Sequence, residues 1–241
     1  MITSKKDILL ATTLKYDEQA DKFSRFLLPH PLSVCYKINQ KCNFSCSHCI
    51  ASGSAHGYEG LPTEKAKLII EKIKESGVIR LDITGGEPYL RDDIDELLEH
   101  ATGIGLEVVI TTNGSLLTDR NITTLKKLGL LVQLSIDGEK TINDQLRGEG
   151  SFDSTIAAIT RLKAANVPVR INSTIQKANI DQINNILGIA SRIGVNNVYF
   201  IIACAQGRAS ERRNDVCLSA QQENGVREKA LTLRLRSDIN V

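Results

Sequence analysis

The chain has no tryptophan, one methionine and only 4% aromatic residues, which leaves little material for a platform on which nucleic-acid bases stack. It also lacks a strong charge of either sign. Thirty Lys and Arg stand against 28 Asp and Glu, a net charge of +2, too weak a field to gather a polyanion or an anionic membrane surface. No apolar run approaches the length of a bilayer span. The stretch Ile8-Leu9-Leu10-Ala11 is too short for the core of a signal peptide. Nucleic acid and membrane are therefore not expected as partners. A secreted disulfide framework is missing too. Of six cysteines, three crowd one loop and the others, Cys35, Cys204 and Cys217, are scattered. Clustered reduced thiols point to the cytoplasm.

What the chain does have is an ordinary globular balance over 241 residues, 41% apolar and 24% charged, with length enough for a sizeable core. It is organised around Lys41-Cys42-Asn43-Phe44-Ser45-Cys46-Ser47-His48-Cys49. A loop of spacing Cys-x3-Cys-x2-Cys can turn three thiolates toward one centre but supplies no fourth. Closed zinc sites use four protein ligands, and simple iron–sulfur clusters tend to use four cysteines. Three suggest a cluster with one iron left open. A zinc knuckle completed by His48 or His56 is the other reading of the triplet.

Around this loop runs a rhythm of strand and helix. Leu32–Ile38 is β-rich and delivers the chain to the cysteines. Ala66, Ile69, Ile70 and Ile73 then follow a helical stripe behind Pro62 and a Thr63 cap. Ile79–Ile83, Leu106–Ile110, Leu130–Ile136, Val167–Ile175 and Asn197–Ile202 read as strands. Between them lie the helical stripes Ile94, Leu97, Leu98, Ala101; Thr118 to Leu128, stopped by Gly129; Ile156, Ile159, Leu162; and Ile183, Ile186, Leu187, Ala190 opened by Asn179. About six units of ~30 residues predict a parallel sheet buried on both faces, wound as an open barrel or a doubly wound sheet. Glycine and polar residues recur where strands end: the cysteine loop, Gly85-Gly86-Glu87-Pro88, Thr111-Thr112-Asn113-Gly114 and Ser135-Ile136-Asp137-Gly138. Each alone reads as a turn. On one edge of a parallel sheet, where such folds place their sites, they describe one pocket.

Cys42, Cys46 and Cys49 followed by Gly85-Gly86-Glu87-Pro88 resemble the radical S-adenosylmethionine superfamily, over about residues 32–202. The resemblance implies an α/β fold, a partial (β/α)6 TIM-like barrel of about six parallel strands, with a lead-in at 1–31 and a tail at 204–241. It implies a 4Fe-4S cluster on the three cysteines and S-adenosylmethionine chelated to the open iron. In that family Glu87 would accept from the methionyl ammonium on a loop that Gly85 and Gly86 bring close and Pro88 fixes. Ser135 and Asp137, similar to the Ser-x-Asp-Gly segment of SPASM-type members, would contact carboxylate and ribose. Arg147 would pair with the methionyl carboxylate and Asn113 would face the cofactor. Asn172 would reach the ribose or only bond a strand end. His48 would stack on adenine or only cover the cluster loop, and Tyr36 reads as a core tyrosine.

The resemblance also implies a reductant such as flavodoxin or ferredoxin and a peptide or small-molecule substrate. The leading expectation is an enzyme that modifies a peptide or protein side chain. A cofactor-biosynthesis enzyme of molybdenum-cofactor or haem type is the alternative, and a non-catalytic zinc or iron–sulfur module is the reading from a different class. Cys35, inside a strand expected to be buried, reads as a core thiol. Cys204 and Cys217 read as ordinary thiols around Gln206-Gly207-Arg208-Ala209, which is similar to a Gly-Arg-Ala segment of SPASM-type members. No cysteine-rich extension follows. Ser219 and Gln222 form a capping box for a basic helix carrying Arg227, Arg234 and Arg236, a short member or a truncated one.

Overall fold

A computed structural model describes residues 31–236 and 239. The expected lead-in lies outside these residues except for Pro31, as do the side chains of Arg234 and Arg236. Six strands alternate with helices: β1 (Ser33–Lys37), α1 (Thr63–Glu75), β2 (Arg80–Thr84), α2 (Ile94–Gly103), β3 (Glu107–Thr112), α3 (Asp119–Leu128), β4 (Leu131–Ser135), α4 (Lys140–Arg147), α5 (Ser151–Ala164), β5 (Val169–Ile175), α6 (Ile183–Arg192) and β6 (Val198–Ile202). Short helices α7 (Arg208–Glu211) and α8 (Arg213–Val216) and the longer α9 (Ala220–Arg236) follow.

All six strands are parallel, and their order in the sheet is their order in the chain. That order decides between the two windings. A doubly wound sheet reverses direction at a switch point. Here every crossover steps the same way, so the helices gather on one face and the sheet curls around the other, as a half-barrel. The apolar stripes face the helices. Ile94, Leu97, Leu98 and Ala101 of α2 are 2% exposed or less, as are Leu81 and Ile83 of β2 and Val132 and Leu134 of β4. Thr118 caps α3 by accepting from the Asn121 amide, and Gly129 ends it at φ 65°.

The sheet departs from the expected two-sided burial. Several residues of the other face, among them Asp82 of β2, Gln133 of β4 and Asn172 of β5, are polar and only half-buried, because the sheet curls without closing. For the same reason Cys35, on the outermost strand β1, is exposed rather than a core thiol. Two helix starts also differ. Pro62 holds the cap position of α1, while Thr63 is its first residue and donates to Asp93 at 2.7 Å. Asn179 lies inside a 3-10 turn (Lys177–Gln182), and α6 begins only at Ile183, because the Asn179 side chain is used elsewhere.

Candidate active site

The cysteine loop leaves β1 and lies on the loop after β2. Asn39 joins them: its side-chain amide donates to the Glu87 carbonyl at 2.8 Å, and its Oδ1 accepts from the Gly86 amide at 3.1 Å. The Glu87 amide donates to the Lys41 carbonyl at 2.8 Å. A Cβ on Gly85 or Gly86 would strike the backbone of Asn39 to Lys41, so these glycines are what permits the two loops to touch.

Cys42, Cys46 and Cys49 then line one wall of a cavity of about 240 Å³ at the C-terminal edge of the sheet. The Phe44 amide donates to Cys42 Sγ and the Gly53 amide to Cys49 Sγ, each at 3.4 Å. Burial pushes the Cys42 thiol up to about 11 and raises that of Cys46. Taking up iron must therefore release protons from these sulfurs. The three thiols share a cavity and lie close enough to influence one another's ionisation, which fits a cluster held on three sulfurs. His56 is exposed and does not line the cavity.

Ten of the thirteen residues picked out in the sequence line this cavity: the three cysteines, His48, Gly85, Gly86, Asn113, Ser135, Arg147 and Asn172. Glu87, Pro88 and Asp137 do not. Glu87 is fully buried, and its carboxylate accepts the Thr112 hydroxyl at 2.6 Å, the Tyr89 amide at 3.1 Å and the Asn113 amide at 2.8 Å. It ties the ends of β2 and β3 together rather than reaching the cavity. Burial raises its pKa, and the three donors oppose the rise.

Asp137, also fully buried, accepts Arg147 Nε at 2.6 Å and the Thr174 amide at 2.8 Å. Its backbone amide donates to Asn143, and its carbonyl accepts from Asn179 at 2.8 Å. It is therefore held inside the fold by α4, β5 and the turn after β5. Arg147 contacts this carboxylate and the cavity together; burial pulls its pKa down, but Asp137 and the Cys46 sulfur outweigh this and leave it raised.

His48 is held on both sides. Gln176 Nε2 lies 3.0 Å from its Nδ1, and Asp137 Oδ2 lies 3.4 Å from its Nε2. If the Gln176 amide donates, the ring is neutral with its proton on Nε2, toward the carboxylate. Burial lowers its pKa to about 4. The ring bridges the cysteine loop to β4 and the turn after β5.

Sequence reasoning missed two features. Helix α4 places Arg147, and its C-terminal turn grips the loop, with the Ser47 amide donating to the Leu146 carbonyl at 2.9 Å. Arg208 closes the loop from the other side. Its amide donates to the Cys49 carbonyl at 3.0 Å, and its guanidinium bonds the carbonyls of Cys46 and Gly53. Gly207, at φ 56°, lies against the backbone of Cys49 and Ile50, where a side chain would collide. The Gly207-Arg208 pair was the available signal. Cys204 lines the far rim of the cavity but is not among the groups that influence Cys42.

A model of the Radical SAM superfamily matches residues 36–200. The chain belongs to the radical SAM superfamily. Members of this superfamily use a 4Fe-4S cluster and S-adenosylmethionine. Among similar proteins, an AdoMet-dependent heme synthase of Oleidesulfovibrio alaskensis is 31% identical over 79% of this chain and 50% of its own length. The mycofactocin maturase MftC of Mycolicibacterium smegmatis is 30% identical over 81% of this chain and 50% of its own. The chain thus spans about half the length of these relatives. The crystal structure of Streptococcus suis SuiB bound to S-adenosylmethionine superposes with a TM-score of 0.75 at 18% identity, over 98% of this chain and 54% of that one, a likeness of fold. No described helix of this superfamily member is long and apolar enough to cross a membrane.

Proposed function

We propose that Cys42, Cys46 and Cys49 hold a 4Fe-4S cluster and that the cavity beside them takes S-adenosylmethionine, for modification of a peptide side chain. The observation that carries this is the meeting of the three thiols, the Gly85-Gly86 backbone and the polar ends of β3, β4 and β5 in one cavity. When bound and reduced, the cluster would supply one electron for cleavage of the S–C5′ bond of S-adenosylmethionine, releasing methionine and providing the 5′-deoxyadenosyl group for hydrogen abstraction. The protein's part is positioning. Gly85 and Gly86 present backbone to the methionyl end. Arg147 spends Nε on Asp137 and keeps the rest of its planar fork for the methionyl carboxylate. Asn113, Ser135 and Asn172 line the side suited to the ribose, and His48 to the adenine. Arg208 and the Gln176–His48–Asp137 chain fix the loop so that the sulfurs stay on the cavity wall. An electron donor such as flavodoxin or ferredoxin, and a cytoplasmic setting, belong to the same reading.

Peptide modification is supported by the mycofactocin maturase relative. Similarity of the same strength to the heme synthase supports a second reading, a tetrapyrrole substrate. The test is anaerobic reconstitution with iron and sulfide, then reduction with added S-adenosylmethionine. A brown protein that releases 5′-deoxyadenosine is expected. Cys46→Ala should lose both colour and product, because two thiolates do not hold the cubane. Colourless protein with tightly bound zinc and no nucleoside product would sink the proposal.

A further inference from the structure

Two polar atoms on the concave face of the sheet are buried without a partner: Nε of Arg170 and Oδ1 of Asn172. They belong to residues two apart on β5, whose side chains share a face about 7 Å apart. Asn172 lines the cavity, and Arg170, one step nearer the start of the strand, lies just beyond its lining.

Arg170 is 5% exposed. Its guanidinium bonds the Gln133 side chain on β4 and lies 3.9 Å from the centre of the Tyr199 ring on β6. Among the described residues it forms no ion pair. Asp82, whose carboxylate influences it, is already bonded by Arg80 at 2.8 Å. A buried cation is ordinarily matched by an anion, because removing a guanidinium from water is costly unless a counter-charge replaces the hydration. Burial accordingly lowers the proton affinity of Arg170; Tyr199 and Asp82 oppose the fall and neighbouring Arg80 adds to it.

We infer that Arg170 is a substrate-binding residue that receives a carboxylate, with Gln133 and Tyr199 holding its planar fork, while Asn172 above it stays with the ribose. This rests on the proposed function, since it places the substrate beneath the nucleoside site. Carboxylate is the shared chemistry of the two candidate substrates. A peptide brings its C terminus or an acidic side chain, and a tetrapyrrole brings propionates.

The experiment measures binding rather than turnover, on the reconstituted protein with S-adenosylmethionine present. Four probes are compared: a randomised octapeptide pool with free C termini, the same pool as C-terminal amides, coproporphyrin III, and its tetramethyl ester. At least a tenfold preference for the free acid within one pair is expected, and which pair shows it identifies the source of the carboxylate. Arg170→Met should remove that preference and leave the midpoint of thermal unfolding unchanged or higher, as expected for loss of an unmatched buried charge. Equal binding of acid and blocked form in both pairs overturns the inference, as does Arg170→Met that unfolds earlier yet keeps the preference. Because 5′-deoxyadenosine release is measured separately, a failed carboxylate preference with intact cleavage counts against Arg170 alone. Failed cleavage counts against the proposed function.

Discussion

Arg147 and Arg170 are two largely buried arginines of one half-barrel with opposite surroundings. Arg147 is bonded to the fully buried carboxylate of Asp137 at 2.6 Å, and that carboxylate is itself held by a backbone amide of β5. Arg170 has an amide, an aromatic face and no carboxylate of its own among the described residues. The first charge is balanced within the fold, so Asp137 sets where its fork stands on the cavity rim. The second is not, so its balance is left to whatever enters. Burial by itself therefore does not say whether a cation already has its counter-charge.

The largest effect that would test this contrast comes from removing Arg147. Arg147→Met leaves Asp137 buried with its charge unmatched, and should cost about 3–5 kcal/mol of unfolding free energy, read by urea denaturation. A loss below about 1 kcal/mol would mean that the two arginines are alike.

A pH dependence sharpens the same picture. The folded pKa of His48, about 4, lies below its ordinary value near 6.5, so the unfolded chain binds the extra proton over that interval. The His48 contribution is complete above pH 6.5 and is lost as pH falls toward 4, by roughly 3 kcal/mol. Urea unfolding at pH 7 and 4.5 should show a steeper loss in the wild type than in His48→Gln; parallel losses would remove His48 from the rim's balanced network. The smallest effect is at Glu87, where donors point at both oxygens. Glu87→Gln turns an NH2 against one of them and should destabilise by about 1–3 kcal/mol without loss of iron. A variant of unchanged stability would show that Glu87 does not tie β2 to β3.

The cysteine spacing, the glycine pair and the apolar stripes of α2, α3, α5 and α6 were legible because each depends on local chemistry. Three thiols within eight residues share a loop whatever surrounds them, and a helical stripe needs only its own period. Where Glu87 and Asp137 point was not legible. Both stand next to glycine at strand ends and read as ligands for a cofactor, yet their carboxylates turn inward to donors from β3, α4 and β5 that are distant in sequence.

The sequence by itself determined the repeated strand–helix units and the loop of three sulfurs, since period and spacing are properties of neighbouring residues. Only the tertiary structure decided that the sheet winds one way and stays open, that Arg208 clasps the loop, and that one buried arginine has a carboxylate while another does not. Those outcomes depend on which strands become neighbours, and the hydrogen bonds and charges that settle them join residues 10 to 162 positions apart.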